Sequence, residues 1–167
     1  AAGTGLVLGV AGPDSVLLKR ADHARILGSA NAPLWVVEVS DFQCPYCRQF
    51  HDQSYPELKR AYVDSGKVRL AYVNFPLSSH RNAWPAAESA MCAAAQDKFW
   101  QMHDALFNTQ RQWENLPSPQ PMLDSLAAAQ GVEPKAFRAC VSGHLMKPMI
   151  DADIDRATKA GVESTPT

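Results

Sequence analysis

An α/β fold, with one strand–helix–strand unit followed by a long helical stretch, is predicted by three features of this 167-residue chain. The run LWVVEVS at 34–40 is apolar and β-branched, follows the turn signal Asn31-Ala-Pro33, and reads as a buried strand. A second such run, KVRLAYVNF at 67–75, follows Ser65-Gly66. Between them Phe50, Tyr55, Leu58 and Tyr62 recur at helical spacing, with Pro56 expected to kink the helix. Two strands joined through a helix should lie parallel, because parallel pairing needs such a crossover.

From Ser79 to Gly161 the period changes to that of helices. Ala86, Ala90, Met91 and Ala94 continue into Phe99, Met102, Leu106 and Phe107 at helical spacing. Residues 112–121, QWENLPSPQP, read as a proline-rich connection. Helices are then expected over Met122–Gln130, closed by Gly131, and over Pro134–Ser142, with proline in its first turn and Gly143 after its end. A last helix should span Pro148–Ala160 and stop at Gly161. Trp84, Phe99, Trp100 and Met102 are read as core.

Composition narrows the class. The chain is 46% hydrophobic and 20% charged with a net charge of −1, which fits one soluble-type domain and gives no footing for nucleic acid or an acidic membrane surface. No run of about 18 apolar residues is present. The first twelve residues, AAGTGLVLGVAG, lack a basic lead and an initiator Met, and read as a processed N-terminus compatible with export.

The chemistry concentrates in DFQCPYCR at 41–48. Cys44 falls at the first turn of the expected helix, where unpaired backbone N–H groups and the positive dipole end favour a thiolate. Cys47 lies one turn on, on the same face and within disulfide reach. Pro45 occupies the position a helix tolerates best. One exposed, acidified sulfur with a shielded partner is what thiol–disulfide exchange requires. Two other readings compete. A zinc clip would need four ligands, and His51 completes only a Cys-x₂-Cys-x₃-His run and is more simply a surface residue. A purely structural CxxC disulfide is strained and uncommon. Haem attachment is excluded because Arg48, not His, follows Cys47. His80 and His103 show no partner pattern.

Residues 32–51, APLWVVEVSDFQCPYCRQFH, together with FWQMHDALF at 99–107 and GVESTPT at 161–167, resemble the DsbA-like thiol:disulfide oxidoreductases. The resemblance covers roughly residues 25–167 and implies a thioredoxin-like fold with an inserted all-helical domain. Its divisions would be an N-terminal extension (1–24), a thioredoxin-like βαβ half (25–78), a helical insertion (79–161) and the start of the C-terminal half (162–167). The family continues past this point with two strands and a helix. The chain stops one residue after Pro166, so an open sheet edge is expected where they are lacking.

By the same resemblance Cys44 is the nucleophile and Cys47 the resolving cysteine, with Pro166 the family's cis-proline. Thr165 would offer its backbone to an extended substrate peptide, with Pro45 and Tyr46 beside it. Glu38 matches a buried carboxylate that shuttles a proton to or from Cys47, as against a strand-end Glu facing solvent. Cys92 and Cys140 match a second, structural disulfide of some exported relatives, as against buried free thiols. Many strongly oxidising members carry His where this chain has Tyr46, which implies a weaker oxidant.

The expectation is therefore a protein disulfide oxidoreductase of an extracytoplasmic compartment, acting as a disulfide donor on cysteine-containing proteins. It would use no metal or organic cofactor beyond the Cys44–Cys47 disulfide, and a redox partner, membrane-bound if quinone-linked, would recharge it. The alternatives are a protein disulfide reductase or isomerase, a glutathione-dependent glutaredoxin-like reductase, and a noncatalytic binding module on the same fold.

Overall fold

A helix and a short strand that the hydrophobic pattern does not announce come before the expected strand pair. The computed structural model describes residues 15–167, so the expectation for residues 1–12 lies outside it. Helix α1 (Ser15–Ala24) buries Leu18 and Ala21 in the main core, so residues 15–24 are part of the fold rather than an extension. Strands β1 (Ile26–Leu27), β2 (Leu34–Ser40) and β3 (Val68–Asn74) form a sheet in the order β1-β3-β2. β1 is antiparallel to β3, and β2 is parallel to it, with Glu38 beside Tyr72 and Ser40 beside Asn74. Gly28, at φ +105°, turns the chain under β3, where a Cβ would meet the Val68 carbonyl at 2.6 Å.

Between β2 and β3 the chain forms α2 (Pro45–Gln53), α3 (Tyr55–Leu58) and one π-helical turn over Lys59–Val63, closed by Asp64 N–H donating to Lys59 O at 2.8 Å. The bend falls at Ser54, and Pro56 sits in the first turn of α3, where its missing N–H costs nothing.

The apolar spacing that runs from 86 to 107 is split into two helices, α4 (Ala83–Ala94) and α5 (Phe99–Asn108). Asp97 takes φ +58° and Lys98 N–H donates to Ala93 O at 3.0 Å, which closes α4 and lets α5 fold back against it. The expected connection at 112–121 is in part helical, as α6 (Gln110–Trp113) and the start of α7 (Gln120–Ala129). α8 (Pro134–Ser142) and α9 (Lys147–Lys159) complete the described chain.

The helical stretch has no core of its own. Phe42, Cys47 and Tyr72 share one apolar cluster with Met91, Phe99, Leu106, Trp113 and Phe137. A disulfide joins Cys92 in α4 to Cys140 in α8, with Cα atoms 5.8 Å apart. At the outer edge of β2, Val39 and Thr167 exchange two backbone hydrogen bonds of 2.8 and 3.0 Å. Leu34, Trp35 and Val37 along that strand are exposed, and the Arg69 guanidinium covers the Trp35 ring at 4.5 Å.

Candidate active site

Cys44 caps α2 from an extended conformation (φ −68°, ψ 125°), with Pro45 as the first helical residue. Cys47 lies in the first turn. Both are free thiols, and both are buried, at 4% and 0% exposure. The expected exposure of Cys44 is thus corrected: the segment ending in the cis Thr165–Pro166 bond lies over it, and its thiol donates to Thr165 O at 3.5 Å. In this dithiol state its sulfur makes no side-chain bond to the helix N-terminus. Tyr46 next to it is 68% exposed, Pro45 is exposed and Pro166 is half-buried, so the open surface at the site belongs to these three.

Below α2 the site is polar and buried. Burial pushes the Cys47 thiol up to about 12, against the opposing pull of Ser40, the Asp41 N–H and Thr165. The Asp41 N–H reaches the Cys47 sulfur at 3.5 Å. The two-residue period of β2 puts Glu38 and Ser40 on one face, and register places Tyr72 beside Glu38. Glu38 is buried, not solvent-facing, and burial pushes its carboxyl up to about 7, opposed by Ser40 and the charge of His51. Glu38 Oε2, Ser40 Oγ and Tyr72 OH are all buried without a hydrogen-bond partner. A buried carboxyl half-protonated near pH 7 and a thiol that resists ionisation therefore both lie close to Tyr72.

His51 is not a surface residue. It packs against the rings of Tyr55, Phe107 and His103, and its two nitrogens lie 2.9 Å from Asp52 Oδ1 and 3.3 Å from Asp104 Oδ1. Burial works against its charge, but the two carboxylates outweigh it and raise its pKa. Burial likewise disfavours the charge of Asp104, yet hydrogen bonds from His103 and His51 hold that carboxylate well below its ordinary range. His51, His103 and Asp104 bring potential ligand atoms within 4.8 Å of one another, but those atoms are engaged with each other. Among the described residues neither active-site cysteine joins a cluster of three metal-ligating groups.

Several groups that shape the site carry no local sequence signal, because their partners are remote. The Asp41 carboxylate accepts from Gln43 N–H at 2.7 Å and Leu77 N–H at 3.0 Å, and faces His80 Nδ1 at 2.7 Å. Gln43 reaches across to the helical stretch, donating to Glu114 O at 3.0 Å and accepting from Asn82 N–H at 2.6 Å. The Asn82 amide donates to the carbonyls of Trp113, Glu114 and Leu116. Gln110, fully buried, donates to Phe42 O at 2.7 Å and to Cys44 O at 3.0 Å. Gln110 stands among polar neighbours, Asn108, Thr109, Arg111 and Gln112, so nothing local marks it.

The family model described as Thioredoxin matches residues 20–167. The "Probable disulfide bond formation protein D" of Bacillus cereus is 31% identical over 144 residues, 84% of this chain and 67% of that relative. The chain spans about two thirds of the length of the curated relatives it matches first, at 65–67%. Among solved structures, oxidised BdbD from Bacillus subtilis is 26% identical with a TM-score of 0.78, over 86% of this chain and 78% of that one. The α-DsbA1 of Wolbachia pipientis is 27% identical with a TM-score of 0.73, over 85% and 71%. Kinship through both sequence and fold matches what the paired thiols indicate on chemical grounds, and the chain belongs to the DsbA-like thiol:disulfide oxidoreductases of the thioredoxin fold.

Proposed function

We propose that this chain donates disulfides to cysteine-containing proteins in an oxidising, extracytoplasmic compartment. The observation that carries the reading is the pair of free thiols at the start of α2, with Cys44 donating to the Thr165 carbonyl and Glu38 buried on the strand that leads into them, its carboxyl raised to about 7. In the oxidised protein a substrate thiolate attacks Cys44 Sγ and the Cys44–Cys47 bond breaks. The bond's electron pair leaves on Cys47. A thiol pushed up to about 12 makes a poor anion, so Cys47 takes a proton, and Glu38 supplies it. A second substrate thiolate then attacks the substrate's own sulfur in the mixed disulfide, forming the product disulfide and releasing Cys44.

Thr165 takes part through its backbone. In the dithiol its carbonyl is held by the Cys44 thiol. In the oxidised and mixed-disulfide states Cys44 has no proton to donate, which frees that carbonyl for an N–H of an extended substrate chain. Pro45, Tyr46 and Pro166 supply the apolar surround. The electrons are carried by the Cys44–Cys47 pair, with no metal or organic cofactor in the step, and a redox partner reoxidises the dithiol. No described helix is long and apolar enough to cross a membrane.

The test is an equilibrium titration of Cys44 and Cys47 in glutathione redox buffers, scored by alkylation and mass. A potential of about −120 to −180 mV supports donation, whereas one near about −270 mV makes the chain a reductase and overturns the direction.

A further inference from the structure

We propose that Gln110 is the positioning residue of the nucleophile, so that the helical stretch sets the reactivity of Cys44 through one side-chain amide. The inference rests on Cys44 being the exchanging sulfur. Nε2 of Gln110 donates to Phe42 O and Cys44 O, the carbonyls on either side of Gln43. Two carbonyl acceptors fix the orientation of the amide, since its oxygen could bond neither. The Cys44 carbonyl is also the acceptor of Arg48 N–H at 3.1 Å, the first hydrogen bond of α2. Gln110 therefore grips the same oxygen that starts the helix, and so fixes the angle between the Cys44 side chain and the first-turn N–H groups that would steady its thiolate.

The cost of the arrangement points the same way. Gln110 Oε1 is fully buried and has no hydrogen-bond partner, a penalty that offsets what its donors contribute to stability. The neighbouring bonds from Gln43 and Asn82 already tie the loop to residues 113–116. What Gln110 adds to those ties is the grip on Cys44 itself.

The experiment uses the whole chain with Gln110→Met, similar in length and unable to donate, and Gln110→Glu, which has no donor when ionised. The readouts are the equilibrium constant with glutathione and the urea stability of the oxidised and reduced forms separately. Loss of the grip should destabilise the reduced form selectively and shift the equilibrium toward the Cys44–Cys47 disulfide by about fivefold or more, with a larger shift for Gln110→Glu. Equal losses in the two forms, with the equilibrium constant unmoved, would mean that Gln110 is merely structural and would overturn the proposal. Should both variants fail to fold, the side-chain amide resonances of Gln110 in the unaltered chain decide. They should shift between the redox states if the grip responds to Cys44, and identical positions in both states reject it. A chain that exchanges no disulfide before any substitution refutes the functional reading instead.

Discussion

Glu38 combines a position that the sequence indicates with a property that only burial creates. Its carboxyl titrates at about 7 in the folded chain against an ordinary value of 4.5. Between those values the folded state binds the proton and the unfolded state does not. The group's contribution to stability is thus fully present below about pH 4.5, falls as pH rises, and is lost once pH passes about 7. The span is on the order of 3 kcal/mol. Glu38→Gln should flatten that part of the urea-stability profile between pH 5 and 8, and a profile unchanged by the substitution would place the carboxyl in water. The same variant should slow disulfide transfer to a reduced peptide by up to about 10²-fold, as expected for a lost proton donor. His51 shows the opposite legibility. Its place on the helix is plain from the sequence, but its burial depends on Tyr55, Phe107 and His103, and its charge on Asp104 in another helix.

Elements were legible where an apolar run or the face of a regular period meets the core, as in β3 and α8, whereas β2, expected to be buried, lies at the sheet edge and leaves Leu34, Trp35 and Val37 exposed. They were not legible where a non-local contact decides. Two residues of β1 have no period to read, and α4 and α5 share a spacing that Asp97 interrupts by a backbone reversal. The joint between α1, the sheet and α9 is also non-local. Arg25, 3% exposed, pairs with Asp22 and with Asp153, and Asp153 Oδ2 also accepts from Asn74 N–H and Nδ2, both at 3.0 Å. Asp153→Ala leaves a buried guanidinium half-compensated and leaves the two Asn74 donors at the end of β3 without their acceptor. It should lower unfolding stability by about 3–5 kcal/mol. A loss under about 1 kcal/mol in urea titration would mean that solvent reaches Arg25.

At the scale of the whole molecule the helical stretch acts as part of the catalytic unit's core, not as an attached lobe, so its covalent brace should support the entire fold. Replacing both Cys92 and Cys140 by Ala opens a loop of sequence separation 48 and should reduce stability by about 2–4 kcal/mol. Exchange at Cys44 should persist in the remaining folded fraction, and an exchange rate that collapses while the fold holds would tie the brace to the site. Which partner each helix covers was not readable, because alanine-rich helices carry little information about it. The site also has a history in time. Cys44 and the carbonyl that covers it are 121 residues apart in the chain. At about 5–20 residues per second, ribosomal synthesis places roughly 6 to 25 s between their appearances. Through that interval Cys44 exists without the carbonyl that covers it in the fold, so the closed site is assembled late.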